Sequence, residues 1–273
     1  MKEKSGNSVE GGDERIEKVR ITRVNSGKKE EMEDVVVAET PLTIILNGEK
    51  VITLLCTPRD QECLALGFLL SEGFIRERKE IGGIDSRRKG EISITTKTKR
   101  TLPSGFSQAK VLTSGCAKGV IFSKLEDLDP AKDLLIDLRV APSAPEVQAL
   151  MHEFEKKSVL FRKTGGVHAA ALASREKILV YFEDIGRHNA VDKVLGKCFL
   201  EETACQDKIL LLSGRISSDI LAKASNSGLS IIVSRSAPTG LAVRNAEKLG
   251  ITLVGFARGS KMNIYSFPMR ITT

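Results

Sequence analysis

The chain has 273 residues, 41% hydrophobic and 28% charged, the balance of a soluble globular protein long enough for two domains, and no apolar run reaches membrane-spanning length. Its first residues carry no apolar signal core and its five cysteines are scattered, so a cytoplasmic protein without membrane attachment or a disulfide framework is expected. A net charge of +7 without Trp, with two Tyr and with no dense Lys/Arg block, favours a local anion pocket over a nucleic-acid face, and no nucleic-acid partner is expected.

In chain order, residues 1–15 are polar and Gly-rich and read as a disordered tail. Strands are predicted over 19–24, 35–37, 42–46 and 51–55, with Asn47-Gly48 as a hairpin turn between the last two. A helix over 60–74 opens on an acidic cap, Gly82-Gly83 breaks the chain, and 91–96 is a further strand. Thr113-Ser114-Gly115-Cys116-Ala117-Lys118-Gly119 reads as a flexible loop and 125–142 as a linker. Residues 145–157 form an amphipathic helix with Val147, Leu150, Met151 and Phe154 on one face. From there strands and helices alternate: strands over 177–182, 209–212, 230–233 and 251–256, helices over 189–200, 218–226 and 240–248, and a closing strand over 262–266. The division expected is a tail (1–15), a β-rich module with the cysteine loop (16–142) and an α/β cofactor-binding domain (143–273).

Three clusters carry chemistry. Glu183-Asp184-Ile185-Gly186-Arg187-His188-Asn189 sits at a strand-to-helix switch, the usual place for a ligand in an open α/β sheet. Each of the four main back-half strands runs into a small residue and an arginine: Gly186-Arg187, Gly214-Arg215, Ser234-Arg235 and Ala257-Arg258. Parallel strands would gather these at one edge beside helix N-termini, a cradle for phosphate or pyrophosphate. Cys116, between Gly115 and Gly119 and near Lys118, suits a thiolate nucleophile or group carrier, whereas Cys56, Cys63 and Cys198 read as core residues. Thr164-Gly165-Gly166-Val167-His168 presents His168 at a Gly-Gly turn as an acid, a base, a ligand or a residue satisfied by backbone; His152 reads as surface. No Cys-x-x-Cys, Walker loop or G-x-G-x-x-G is present, and no metal site is expected.

Thr164-Gly165-Gly166-Val167-His168, the Glu-Asp-x-Gly-Arg-His-Asn-Ala-x-Asp-Lys string from 183 to 193, Ser213-Gly214-Arg215, Ser236-Ala237-Pro238-Thr239 and residues 253–259 together resemble the FdhD family of formate dehydrogenase accessory proteins. The resemblance covers nearly all of the chain past its tail. It implies a three-layer α/β/α, cytidine-deaminase-like C-terminal domain with a β-rich N-terminal module, often as a homodimer. It also implies a sulfurtransferase that takes sulfur from a cysteine desulfurase as a persulfide. The sulfur would pass to Mo-bis(molybdopterin guanine dinucleotide), the bound substrate, before insertion into formate dehydrogenase. The zinc deaminase signature is not met, since His168-Ala169-Ala170 lacks its Glu. Many members carry Ser-Ser-Cys-Gly-x-Cys-Gly in the sulfur loop, and here Cys116 falls one position after the first of that pair; the persulfide role is carried to it. By the same resemblance the guanine dinucleotide contacts map to Phe256, Ala257, Arg258, Gly259, Ser260 and Lys261. Arg215 and Arg187 join as phosphate ligands, and His168, Asp184 and His188 shape the site or move protons. The competing expectations are a non-catalytic cofactor-binding chaperone and a Cys116-His188-Asp184 hydrolase.

Overall fold

The computed structural model describes residues 13–98, the backbone of 111–112 and residues 140–273. Cys116 with its loop, most of the tail and most of the linker lie outside the described residues.

The chain opens as a two-stranded antiparallel ribbon, β1 (Ile16–Asn25) and β2 (Lys28–Val37), turned at Ser26-Gly27 with positive φ at both residues. Only parts of these strands were expected, because β2 begins with Lys28-Lys29-Glu30-Glu31 and has no apolar alternation. Cross-strand partners of opposite charge, Arg20 with Glu33 and Arg23 with Glu30, hold a ribbon exposed along much of its length. A second hairpin, β3 (Thr40–Leu46) and β4 (Glu49–Cys56), turns at Asn47-Gly48 as expected, with φ of 53° and 86°. Helix α1 (Gln61–Ser71) follows. Asp60 does not cap it: its backbone is left-handed, φ 58°, and its side chain makes no cap bond.

Gly82-Gly83 does not break the chain. It lies inside β5 (Ile81–Asp85), which pairs with β6 (Glu91–Thr96). With the short β7 (Val111–Leu112) these strands complete a five-stranded sheet of order β5-β6-β3-β4-β7. One face of that sheet buries Leu42, Ile44, Leu54 and Ile94 against Leu64, Phe68 and Leu69 of α1.

Helix α2 (Ala144–Lys157) starts with a capping box in which Ser143 Oγ accepts from the Glu146 N–H and the Glu146 carboxylate accepts from the Ser143 N–H. It leads through α3 (Val159–Thr164) to β8 (His168–Ala173) and β9 (Ile178–Asp184). Next come α4 (Arg187–Leu200), β10 (Ile209–Leu212), α5 (Ser218–Asn226) and β11 (Ile231–Ser234). Helix α6 (Gly240–Leu249), β12 (Thr252–Arg258) and β13 (Lys261–Ile264) complete the order.

These strands form a six-stranded sheet of order β13-β12-β11-β10-β8-β9. The three strands β10, β11 and β12 are parallel, while β8 is antiparallel to both of its neighbours. On one face Ala169, Ala171, Leu211 and Val233 pack on the apolar stripe of α2; on the other Ala170, Leu172, Leu210 and Ile232 pack on α4, α5 and α6. The result is the expected three-layer α/β/α arrangement. Side chains of β8 alternate between the two layers, as a strand requires, and most are alanines.

Helix α1 crosses α4 where each contributes a glycine. A Cβ on Gly67 would stand 1.8 Å from the Asp192 carbonyl oxygen, and one on Gly196 the same distance from that of Cys63. Only two bare backbones fit, and this contact joins the front sheet to the back one.

Candidate functional site

β9 is not adjacent to β10, since β8 lies between them. Two antiparallel steps restore its direction, so β9, β10, β11 and β12 all end at one edge of the sheet, where β8 begins. That edge brings His168 opposite Asp184 and places Arg187, Arg215, Arg235 and Arg258 at the ends of the four strands. Helices α4, α5 and α6 start from it; Ser217 and Thr239 cap the latter two, at Ile220 and Ala242. The carboxyl rim therefore gathers helix N-termini and guanidinium cations.

A cavity of about 530 Å³ opens on the α2 side of the rim. Phe154, Ser158, Phe161, Gly165, Gly166, His168, Ser213, Arg235 and Arg258 are among the residues that line it. Arg258 Nε donates to the Arg235 carbonyl at 2.8 Å, and Arg235 forms an ion pair with Glu155, its Nε 2.9 Å from the carboxylate but without hydrogen-bond geometry. The loops between are tied together. Ser213 Oγ accepts from the Ala169 N–H at 2.8 Å and lies 3.4 Å from His168 Nδ1, and Ser234 Oγ donates to the Gly214 carbonyl at 2.6 Å. Gly214 packs closely here, since a Cβ there would stand 3.2 Å from both Arg187 Cβ and His168 Nδ1 and make those side chains shift. Burial, then the Arg187 and Arg215 cations, hold His168 below its usual pKa, so it offers a neutral imidazole to the cavity.

The 183–193 string is mostly an internal brace. Asp184 is fully buried and accepts from the Thr57 N–H and Oγ, the Gly186 N–H and Asn189 Nδ2, with Lys193 Nζ at 2.7 Å. Asn189 also donates to the Leu55 carbonyl, and Lys193 to Thr57 Oγ, so this cluster ties the end of β4 to α4. Glu183 accepts from the N–H groups of Leu160 and Phe161 and fixes the start of α3, hence the cavity wall. Asp192 pairs with Lys223 and accepts from Ser71 Oγ.

Of the expected site residues, the structure brings His168 and Arg258 into the cavity, with Arg235 from the arginine repeat. Arg187 and Arg215 flank His168 without lining the cavity. Asp184 does not face it, because both of its oxygens are used inside. His188 is buried on α4, its Nε2 3.5 Å from Ser217 Oγ; burial and then Arg187, Lys223 and His168 push its pKa down to about 3. Asp184 makes no bond to His188, so the relay a Cys-His-Asp hydrolase needs is not built here. Around Arg258, Phe256 is exposed with φ 51°, Ala257 is buried, Gly259 turns the chain and the Ser260 carbonyl accepts from Gln148. Lys261 pairs with Arg258 in the β12–β13 ladder and is exposed. The aromatic wall, Phe154 and Phe161, was not anticipated: Phe154 reads as core, and α3 is too short for periodicity to reveal. Cys116 lies outside the described residues. The four described cysteines are buried and unpaired by disulfides, and burial raises the pKa of Cys56 and of Cys63 to about 11. No three His, Cys, Asp or Glu side chains among the described residues gather as metal ligands. No helix among them is long and apolar enough to cross a membrane.

A three-layer α/β/α sheet whose carboxyl rim carries arginines and a neutral histidine beside a cavity defines an α/β protein with a cationic rim pocket. The sequence model of the FdhD/NarQ family matches residues 37–272, and the chain belongs to that family. It is 42% identical over 252 residues to the "Sulfur carrier protein FdhD" of Bacillus subtilis (strain 168), covering 92% of this chain and 95% of that protein. To the protein of the same name from Bacillus pumilus (strain SAFR-032) it is 44% identical over 241 residues, 88% of this chain and 91% of the relative. A crystal structure from Desulfotalea psychrophila, described as that of a formate dehydrogenase accessory protein, superposes with a TM-score of 0.74 at 28% identity, covering 94% of this chain and 99% of the other.

Proposed function

We propose that this protein is a sulfur carrier of formate dehydrogenase maturation, a sulfurtransferase working through a cysteine persulfide. Cys116 is the sulfur-bearing residue. Its thiolate attacks the terminal sulfur of a desulfurase persulfide, the new S–S bond forms on Cys116, and the donor leaves as a thiolate. The acceptor is Mo-bis(molybdopterin guanine dinucleotide), handled as substrate, and the partners are a cysteine desulfurase and formate dehydrogenase, with the carrier acting as a homodimer in the cytoplasm. Support for the sulfur step comes from the names of the relatives and from the burial of the other four thiols, which leaves Cys116, between Gly115 and Gly119 in the sequence and two positions from Lys118.

The observation that carries the cofactor step is the rim cavity, with Arg235 and Arg258 fixed beside a neutral His168. About 530 Å³ suits one nucleotide arm rather than the whole dinucleotide pair. Anchored guanidinium forks meet phosphate oxygens at little ordering cost, and the exposed Phe161 ring offers a flat apolar surface to a base. His168 supplies a neutral nitrogen that accepts or donates one hydrogen bond.

Guanosine diphosphate is the probe. Calorimetry should show binding to the wild-type protein and a loss of about tenfold or more with Arg258→Gln or Arg235→Gln, the worth of one charge-assisted hydrogen bond. Equal binding by all three proteins would remove the rim from the account. Cys116→Ala should bind the nucleotide normally yet fail to activate formate dehydrogenase in cells lacking the carrier. Full activation by that variant would favour the chaperone reading.

A further inference from the structure

Helix α3 has six residues, too few to hold a helix in water by themselves, and the structure pins it at both ends. Tyr181 and Glu183 lie two positions apart on the edge strand β9 and so share a face. Tyr181 Oη donates to Ser158 Oγ at 3.0 Å. The two Glu183 oxygens accept from the Leu160 and Phe161 N–H groups at 3.0 and 2.9 Å. At the other end the Gly165 N–H donates to the Phe161 carbonyl at 2.7 Å, with Gly165 in the left-handed region, and Thr164 Oγ1 donates to the Leu160 carbonyl at 2.9 Å. Both backbone polar groups of Phe161 are thereby fixed, yet its ring is 47% exposed and lines the rim cavity. The other two phenyl rings near the rim are placed differently. Phe154 lines the cavity but is buried, edge-on to Tyr181 with ring centroids 5.5 Å apart. Phe256 is exposed but does not line the cavity, and the Arg258 guanidinium sits 5.9 Å from its ring centroid. Among the described residues, Phe161 is the one phenyl ring that is both open and on the cavity.

We propose that Phe161 is the stacking platform for the heteroaromatic base of a nucleoside diphosphate in the rim cavity, and that Glu183 is the residue that positions it. This rests on the nucleotide reading of the rim, and it moves the base from the expected Phe256 to Phe161. The two parts of the ligand are then recognised separately. Arg235 and Arg258 meet the phosphates, and the ring face of Phe161 meets the base, an attraction that needs no particular pattern of base edges. A platform whose backbone is fixed beforehand loses little freedom when the base settles on it. Glu183 does not line the cavity and acts only through Phe161. In Glu183→Gln one oxygen still accepts, but the new NH2 faces an N–H that it cannot bond. The start of α3 loosens and the ring is no longer held in place.

Calorimetry of the full chain with two probes, inorganic pyrophosphate and guanosine diphosphate, separates the parts. The wild-type protein should bind the nucleotide more tightly than pyrophosphate. Phe161→Leu should keep the pyrophosphate affinity and lose about tenfold for the nucleotide, the worth of one base–aromatic stack. Phe161→Tyr, which keeps a ring, should retain both. Glu183→Gln should weaken the nucleotide several-fold at unchanged pyrophosphate affinity, a split that general loosening of the fold does not produce. An unchanged ratio of the two affinities in Phe161→Leu would overturn the platform and leave the phosphate reading standing, whereas a wild-type protein that binds neither probe would overturn both. Loss of both probes together in Glu183→Gln, or of neither, would remove its positioning role.

Discussion

His188 is a buried neutral imidazole at the first turn of α4, and its burial sets a pH dependence. The unfolded chain takes up a proton there below the ordinary value of 6.5, whereas the folded chain resists until about 3. The folded pKa is depressed, so this contribution is complete above 6.5 and is lost as pH falls through that window, by about 1.4 kcal/mol per pH unit. Urea unfolding of wild type and His188→Asn across that range should give a shallower slope for the variant; equal slopes would contradict the burial. Asp184 and Lys193 are each wholly inaccessible and 2.7 Å apart, so Lys193→Met strands a carboxylate inside the protein. We expect a loss of about 3–5 kcal/mol by chemical denaturation, partly recovered in the Asp184→Asn, Lys193→Met double variant. The sequence showed that 183–193 mattered and did not show how. Acid, amide and cation in one short turn look alike whether they serve a ligand or each other, and their partners Thr57 and Leu55 lie far away in the chain.

Among the elements, the crossing of α1 and α4 is set by two glycines rather than by large apolar side chains. Gly67→Ala or Gly196→Ala drives a methyl into a facing carbonyl, and either should cost at least the upper part of the ~1–3 kcal/mol usual for overpacking, read as a fall in the urea midpoint. Unchanged midpoints would mean that the helices do not meet there. Elements with a clear period were legible in the residues: α2, the strands β10 to β12, and the Asn47-Gly48 hairpin. β8 was not, because an alanine-rich run has weak strand preference and shows no contrast between faces when helices cover both. Missing β8 also hid why the rim forms, since this strand both returns the direction of β9 and places His168 at the edge.

For the molecule as a whole, a rim expected from four strand-ending arginines exists, but only two of them line the cavity. Arg235 and Arg258 reach the cavity on the α2 side, while Arg187 and Arg215 act on His168 through their charge. One-dimensional spacing reveals an edge; only the packing of α2 and α3 decides which part of the edge is open. In the proposed transfer that opening receives the cofactor and Cys116 carries the sulfur, and sulfur mapping tests their union most directly. The full chain is incubated with a cysteine desulfurase and cysteine, its persulfides are trapped by alkylation, and the tryptic peptides are weighed. The account predicts one added sulfur on peptide 111–118, which contains Cys116, and none on those holding Cys56, Cys63, Cys198 or Cys205. An unmodified Cys116 with sulfur on any of the other four would contradict it.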